Sequence, residues 1–240
     1  MSITTKTLLE IKNLNYQVND KLILENIDFQ INEGDYLALL GPNGGGKTTL
    51  IKLILGIIEN SKQFKRSIII NQNVRIGYVP QRINTGFQEL IADGMELLTT
   101  GINYNKQNLN GIITQFQLEP LLTKNISTLS GGQFQKLLIA RSILSGANFL
   151  ILDEPTTGID ATTRTEFWKI LKELNQQKKV TIIIISHDIS EVTVDANRVV
   201  FLDKQIQCYH NVSEFINETN QLRNSPNHNN HKINLNHKHV

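Results

Sequence analysis

A glycine-rich turn at residues 41–48, GPNGGGKT, has the residue types that bind phosphate. Glycines let the backbone curl so that successive N–H groups point at phosphate oxygens. In such a loop Lys47 would reach the β- and γ-phosphates, and the Thr48 hydroxyl would ligate Mg²⁺. An apolar run, Tyr36 to Leu40, precedes the turn, and a helical apolar stripe follows it: Leu50, Leu53, Ile54 and Ile57. This strand–loop–helix context predicts a binding site for a nucleoside triphosphate.

Two carboxylates follow a second apolar run, Phe149 to Leu152. In parallel α/β sheets, ligands bind at the carboxyl ends of the strands. Asp153 is therefore expected to hold Mg²⁺, directly or through a bound water. Glu154 points to a different side, which suits a base that polarises the attacking water. The alternative is that both residues only cap a turn before Pro155.

A second glycine turn, Leu129 to Gln133, opens a predicted helix with the sequence LSGGQ. Backbone N–H groups and the helix dipole make such a turn a potential anion site. Taken alone, a Ser-Gly-Gly turn is more often a helix N-cap than a ligand site. The chain thus carries two phosphate-recognising elements for one predicted nucleotide.

The elements that must position these residues alternate along the chain. Continuous apolar strands indicate a parallel sheet buried on both faces, with helices between the strands, so the fold class is α/β. Short strands near the N-terminus precede the phosphate loop. Five segments are predicted as strands in the order of the chain: Leu8–Tyr16, Lys21–Ile31, Ser67–Ile70, Val180–Ile185 and Arg198–Leu202. A further strand, residues 74–79, is predicted to stop at Pro80.

Residues 82–145 differ in character from the strands around them. Helical stripes there are interrupted at Gly101–Asn103 and at Glu119–Pro120, which predicts a small helical subdomain inserted into the sheet domain. Thr165 to Gln177 is predicted as a further helix. We expect one domain over residues 1–220. Residues 221–240 are rich in Asn and His and nearly devoid of apolar side chains, which predicts a disordered tail.

Composition excludes several classes of protein. A chain of 240 residues that is 40% hydrophobic can bury a substantial core, and its net charge of +2 is close to balanced. No basic stripe with aromatic residues favours a nucleic-acid partner. No window approaches 18 apolar residues, and the N-terminus lacks the layout of a secretory signal. Cys208 is the only cysteine, so the chain is expected to be cytoplasmic.

These motifs resemble those of the ATP-binding subunits of ABC transporters. GPNGGGKTT resembles their Walker A motif, FLILDEP their Walker B motif with its glutamate, and LSGGQ their signature motif. Gln81 falls at the position of the Q-loop, Asp160 in that of the D-loop, and His187 at that of the switch histidine. Tyr16 matches the aromatic that stacks on adenine, although alone it reads as an ordinary strand residue. The order and spacing agree from about Leu8 to Ile216.

The resemblance implies a P-loop ATPase fold with a mostly parallel core sheet, an antiparallel β subdomain and the inserted helical subdomain. It assigns ATP binding to one group of residues: Tyr16, Gly41, Pro42, Asn43, Gly44, Gly45, Gly46, Lys47, Thr48 and Thr49. It assigns catalysis to Glu154, His187 and Gln81, and Mg²⁺ binding to Thr48, Gln81 and Asp153. It further implies a head-to-tail homodimer, in which each ATP also contacts the partner's signature: Leu129, Ser130, Gly131, Gly132 and Gln133.

Membrane-spanning permease subunits are the further partners that the resemblance implies, docking near Gln81 and the helical subdomain. An extracytoplasmic metal-binding protein would complete the system, and the ATPase would sit peripherally on the cytoplasmic face of the membrane. The sequence IGYVPQ at residues 76–81 resembles the zinc and manganese uptake branch, as does the short helical lobe. Zn²⁺ is therefore the expected cargo. Manganese, iron or siderophores, haem, and a soluble non-transport ABC ATPase remain alternatives.

The tail offers an independent hint of metal binding, because neutral imidazoles are good Zn²⁺ ligands. Its candidate ligands are four histidines: His228, His231, His237 and His239. Without fixed geometry between them, any such site would be weak, and a solvated low-complexity end is the alternative. Cys208 and His210, two apart on a predicted strand, would share one face and form a second, weaker candidate pair.

Overall fold

The computed structural model describes residues 6–58, 67–81, 92–186, 195–209, 212–215 and 217. Strands of these ranges are β1 (Thr7–Val18), β2 (Lys21–Asn32), β3 (Tyr36–Leu40), β4 (Ile68–Ile70), β5 (Ile76–Val79), β6 (Phe149–Asp153), β7 (Thr181–Ile185), β8 (Arg198–Asp203) and β9 (Gln205–Tyr209). The α-helices are α1 (Lys47–Ile54), α2 (Gly94–Thr99), α3 (Lys106–Gln115), α4 (Gly131–Leu144) and α5 (Ala161–Lys178). Short 3₁₀ turns lie at Glu119–Leu121 and Ile126–Thr128.

A six-stranded sheet in the order β5-β6-β7-β3-β8-β9 forms the centre of the molecule. Its strands run parallel except for β9, which pairs antiparallel with β8. Every residue of β3, β6 and β7 is buried, as the apolar composition of these strands predicts. The α/β fold class with a mostly parallel core sheet is confirmed.

A separate three-stranded antiparallel sheet, β2-β1-β4, lies in the N-terminal part. Its long strands β1 and β2 pair from Thr7↔Asn32 to Val18↔Lys21, with register shifts in between. Asn13 lies inside β1 with a φ of +45°. Asparagine tolerates this left-handed conformation, so the chain forms a bulge and the strand continues.

Apolar side chains divide into two clusters on opposite faces of the six-stranded sheet. On β3, for example, Leu37 and Leu39 belong to one cluster, whereas Ala38 and Leu40 belong to the other. Helix α1 packs on the first face through residues such as Leu50, and we call this the α1 face. Helices α4 and α5 pack on the second face, which we call the α4 face. Alternation along the strands separates the two layers.

Helices α2 and α3 pack beside α4 and lie within the range predicted to be helical. Their buried side chains, such as Leu98 and Ile112, join the α4-face cluster. An Asp93 capping box begins α2, and the Asn105 side chain caps α3. Among the helices of the described ranges, none has the length and apolarity needed to cross a bilayer.

One predicted helix boundary was wrong. The stripe after the phosphate loop was expected to include Ile57, but α1 ends at Ile54. Gly56 follows in the left-handed conformation with a φ of +67°, which ends the helix. Ile57 is 60% exposed as a result. The other members of the stripe, Leu50, Leu53 and Ile54, are buried against the sheet.

Candidate functional site

The carboxyl ends of neighbouring strands bring the predicted chemical groups together. Strand β6, which ends at Asp153, lies between β5 and β7, and β7 lies beside β3. The phosphate loop follows β3, Gln81 follows β5, and Ser186 follows β7. Four chain segments that are distant in sequence thus end at one edge of the sheet, as expected for parallel α/β proteins.

The glycine-rich loop is anchored against the β8–β9 hairpin. A side chain at Gly41 would place its Cβ 2.0 Å from the Leu202 carbonyl oxygen, and one at Gly46 would lie 2.7 Å from the Leu24 side chain. Both glycines also have positive φ, +147° and +100°. The Lys204 N–H donates to the Gly45 carbonyl at 3.0 Å. Close backbone approach and left-handed geometry therefore require glycine at both positions.

Lys47, the first residue of α1, is 7% exposed and folds back over the loop. Its Nζ donates to the carbonyl oxygens of Gly41 at 2.8 Å and Pro42 at 2.9 Å. Burial lowers its pKa, while the nearby carboxylates of Glu154 and Asp153 oppose that shift. The ammonium group thus lies close to both carboxylates and to the loop. Thr48 lies one residue later with its side chain exposed.

Asp153 ends β6 with 8% exposure. Burial raises the pKa of its carboxyl group, and a hydrogen bond from Tyr78 opposes the shift. The Tyr78 hydroxyl donates to Oδ2 of Asp153 at 3.3 Å. Burial and the Asp153 charge raise the pKa of Tyr78 to about 12, so its hydroxyl stays protonated at neutral pH. Tyr78 was predicted only as a strand residue, without a role in the site.

Glu154 lies just beyond β6 in the left-handed conformation, with a φ of +45°. Such strain in a residue with a side chain costs about 1–3 kcal/mol and concentrates at functional sites. Its backbone N–H donates to the Ile185 carbonyl at 2.9 Å, tying it to β7. Its carboxylate accepts a hydrogen bond from the Gln81 amide at 2.8 Å. The structure therefore brings Gln81 and Glu154 into direct contact.

Tyr16 is connected to the loop through the antiparallel sheet. It is half-buried on β1 and pairs with Leu24 of β2. Leu24 is the side chain that a Cβ at Gly46 would strike. Leu24 therefore lies between Tyr16 and the phosphate loop, where the antiparallel sheet meets that loop.

Ser130 and Asp160 are helix N-caps. Ser130 forms a capping box at α4, in which Gln133 N–H donates to its hydroxyl at 3.3 Å and Ser130 N–H donates to the Gln133 amide oxygen at 3.1 Å. Asp160 accepts from Thr162 and Thr163 N–H groups at the start of α5, and these bonds lower its pKa. The two ends lie together, because a Cβ at Gly132 would meet Thr163 Cγ2 at 2.3 Å.

The signature turn and the phosphate loop belong to opposite faces of the sheet. Helix α4 contributes to the α4-face cluster through residues such as Leu137, whereas α1 contributes to the α1-face cluster through Leu50. The sheet lies between the two helices. Residues 129–133 are therefore not brought together with Lys47 within one chain, although both elements have exposed groups that could contact phosphate.

Several predicted site residues lie outside the described residues: His187, His210 and the tail histidines His228, His231, His237 and His239. Cys208 lies on β9 opposite Val200, but its pairing with His210 stays a prediction. Within the described ranges, no group of three or more His, Cys, Asp or Glu side chains is arranged to hold a metal ion. The expected Mg²⁺ site is of another kind, since it would combine nucleotide oxygens with one carboxylate, one hydroxyl and one amide oxygen of the protein.

The residues present fit Mg²⁺ chemistry. Thr48 offers an exposed hydroxyl, Asp153 a carboxylate and Gln81 an amide oxygen, at the ends of α1, β6 and β5. These are hard oxygen donors, and a Mg²⁺ site commonly combines one or two carboxylates with substrate phosphates. Burial raises the pKa of the Asp153 carboxyl group, and a neighbouring cation would stabilise its charged form.

Comparisons with known proteins agree on one family. The family model described as ABC transporter matches residues 24–157. The zinc uptake system ATP-binding protein ZurA of Listeria monocytogenes is 34% identical over 84% of each chain. The zinc import ATP-binding protein ZnuC of Rickettsia bellii is 35% identical over 85% of this chain and 86% of its own length.

A solved structure extends the likeness to the backbone. A chain from the inward-facing structure of an ABC transporter assigned to the metal-chelate type has a TM-score of 0.73 and 27% identity. The match covers 87% of this chain and 85% of that one. Together with the family match and the geometry of the phosphate loop, this shows that the chain belongs to the ABC transporter family, as an ATP-binding ATPase subunit.

Proposed function

We propose that this chain is the ATP-hydrolysing subunit of an importer for a divalent metal ion, with Zn²⁺ as the cargo. One observation carries the hydrolytic part: Gln81 donates to Glu154 at 2.8 Å, beside Asp153 and close to Lys47. The cargo rests on the relatives, whose names specify zinc uptake and zinc import.

The proposal assigns a role to each residue at the carboxyl ends of the strands. Residues 41–49 would wrap the phosphates, and Lys47 would leave the loop carbonyls to bind the β- and γ-phosphates. Tyr16 would stack on the adenine. Glu154 would polarise the attacking water, and His187 would contact the γ-phosphate. Thr48, Gln81 and Asp153 would hold Mg²⁺, which neutralises charge on the phosphates when bound.

The site is completed by a second copy of the chain. Because α1 and α4 lie on opposite faces of the sheet, residues 129–133 of one subunit would contact the ATP of the other. The capped N-terminus of α4 supplies N–H groups and a helix dipole toward that phosphate. Asp160, on the adjoining turn, would lie at the same dimer interface as the D-loop residue.

The remaining partners follow from the importer assignment. Membrane-spanning permease subunits would dock near Gln81 and the helices of the α4 face, so the ATPase would sit peripherally on the cytoplasmic side of the membrane. An extracytoplasmic protein would deliver the metal. The name of the Listeria relative, an ATP-binding protein of an uptake system, supports this organisation.

Metal accumulation in cells lacking the gene tests the proposal. Zinc, manganese and iron are quantified together after growth in zinc-poor medium. We expect a selective zinc deficit that the wild-type chain restores and Glu154→Gln does not. In vitro, the same variant should bind ATP normally while kcat falls about 10²- to 10⁴-fold, since it loses its general base.

Two results would contradict the proposal in different ways. Normal content of zinc together with a deficit of another metal would reject the cargo and leave the ATPase intact. Wild-type turnover by Glu154→Gln would instead reject the assignment of the base. Lys172→Gln serves as the control, because Lys172 lies away from the site and pairs with Asp195 at 2.6 Å.

A further inference from the structure

Tyr78 reaches the end of the neighbouring strand from its position on β5. The parallel register pairs Tyr78 with Ile151 on β6. Because side chains alternate between faces, Tyr78, Ile151 and Asp153 lie on the same face of the sheet. Asp153 is two residues further along, about 6.6 Å toward the carboxyl end of the strand. A tyrosine side chain bridges that distance, and its hydroxyl reaches Oδ2 of Asp153 at 3.3 Å.

Packing holds the Tyr78 ring in place. The ring lies against the apolar cluster of the α1 face, in which Phe149, Ile151 and Leu53 are buried. Within the described ranges, its hydroxyl is the side-chain donor to the Asp153 carboxylate. Lys47, the nearby cation, donates to loop carbonyls instead. The carboxylate of Asp153 is therefore oriented from the side of β5.

We propose that Tyr78 is a positioning residue, whose hydroxyl fixes the Asp153 carboxylate so that its other oxygen is presented to the Mg²⁺ of bound ATP. This inference rests on the proposed function of Asp153. Hydrogen bonds to a metal-binding carboxylate orient it and raise metal affinity. A phenylalanine would keep the packing but lose the orientation, so the hydroxyl carries the role.

The test measures Mg²⁺ affinity rather than turnover. The full chain binds a fluorescent, non-hydrolysable ATP analogue while Mg²⁺ is titrated. We expect Tyr78→Phe to require about 10- to 100-fold more Mg²⁺ for half-maximal binding, because the carboxylate loses the hydrogen bond that orients it. Binding of the analogue in EDTA should match the wild type, which reports in the same experiment that the variant is folded.

Tyr36→Phe is the matched control. Tyr36 is a buried tyrosine of β3 in the α4-face cluster, so this change also removes a hydroxyl from the sheet but on the opposite face from Asp153. Its Mg²⁺ titration should superimpose on that of the wild type. An equal shift in both tyrosine variants would overturn the inference, because it would reflect a general effect of lost hydroxyls.

A double-mutant cycle with Asp153→Asn separates positioning from an independent effect. In the Asp153→Asn background, Tyr78→Phe should cause no further change in Mg²⁺ dependence. A shift of the same size in both backgrounds, or no shift in either, would overturn the role of Tyr78 and leave the proposed function standing. A wild-type chain that binds the analogue equally with and without Mg²⁺ would overturn both the role of Tyr78 and the assignment of Asp153 to Mg²⁺.

Discussion

The two faces of the central sheet expose polar groups in different ways. On the α1 face, Lys47 and Asp153 are 7% and 8% exposed, and burial shifts the pKa of each. On the α4 face, Ser130 and Asp160 are exposed and already satisfied as helix caps. One face holds buried charges close to each other, whereas the other presents exposed helix N-termini that are already capped.

This difference indicates how the work of the site is divided. Buried charges gain from a ligand that carries phosphate and metal, because it supplies the partners that burial has removed from water. A capped helix N-terminus has its own hydrogen bonds satisfied, so it can contact phosphate without rearrangement. The α1 face would therefore supply binding energy, and the α4 face a rigid contact for a partner's nucleotide.

Among the changes that test this difference between the two faces, Ser130→Arg should have the largest effect on ATP hydrolysis. A bulky cation at the signature turn would block the partner's ATP, so hydrolysis is abolished while each subunit still binds ATP. Lys47→Ala should instead weaken ATP binding about 10- to 100-fold, through loss of a charged hydrogen-bond donor. Steady-state ATPase assays and nucleotide titrations distinguish the two.

Mixing the two variants decides whether the faces act in trans. A mixed dimer has one intact site, formed by Lys47 of the Ser130→Arg subunit and Ser130 of the other. At equal amounts, about a quarter of the wild-type activity should return, since half of the dimers are mixed and each has one good site. No recovery on mixing would contradict a site shared between two subunits, because it would place both elements in one chain.

Gly77→Ala should affect stability and leave ATP affinity nearly unchanged. The added Cβ would lie 2.6 Å from Ser142 Cβ of α4 and 2.8 Å from Leu150 Cδ2, so helix and strand must move apart. We expect a loss of about 1–3 kcal/mol in the free energy of unfolding, measured by urea denaturation.

Gly111→Ala is the control for this change. Gly111 lies in α3 with nothing within 4 Å of the added Cβ, so its replacement should raise stability by about 0.5–1 kcal/mol. If Gly77→Ala were as well tolerated as Gly111→Ala, the tight packing of α4 on β5 would be contradicted.

The histidine-rich tail should give the smallest effect. Micromolar Zn²⁺ should slow ATP hydrolysis by the full chain, about 2-fold for a weak site, and should not slow a chain ending at Asn224. Mg²⁺ is held constant in both titrations. Equal inhibition of the two chains, or none in either, would remove the tail as a zinc-responsive element.

Local patterns were sufficient to predict most of the elements. The apolar strands β3, β6 and β7 and the helices α4 and α5 were expected from runs and stripes within a few residues. The phosphate loop was recognisable from its glycines, because left-handed geometry leaves few alternatives. Local pattern failed at Ile57, where Gly56 ended the helix.

The amino-acid sequence specifies which chemical groups the protein has and the order in which they occur. Which of these groups meet depends on the fold. Tyr78 and Asp153 are 75 residues apart in the chain and lie on different strands. The register of β5 on β6 nevertheless brings them into contact. The same holds for Gly41, whose need for glycine comes from Leu202.

The physical reason is that periodicity reports only whether a side chain is buried, not what it is buried against. Strand order and register depend on long-range pairing, and the separation of Lys47 from Ser130 by a sheet follows from that pairing alone. The sequence contains two phosphate-recognising elements for one predicted nucleotide. Because the sheet separates them within one chain, a second subunit is needed to bring both to the same nucleotide.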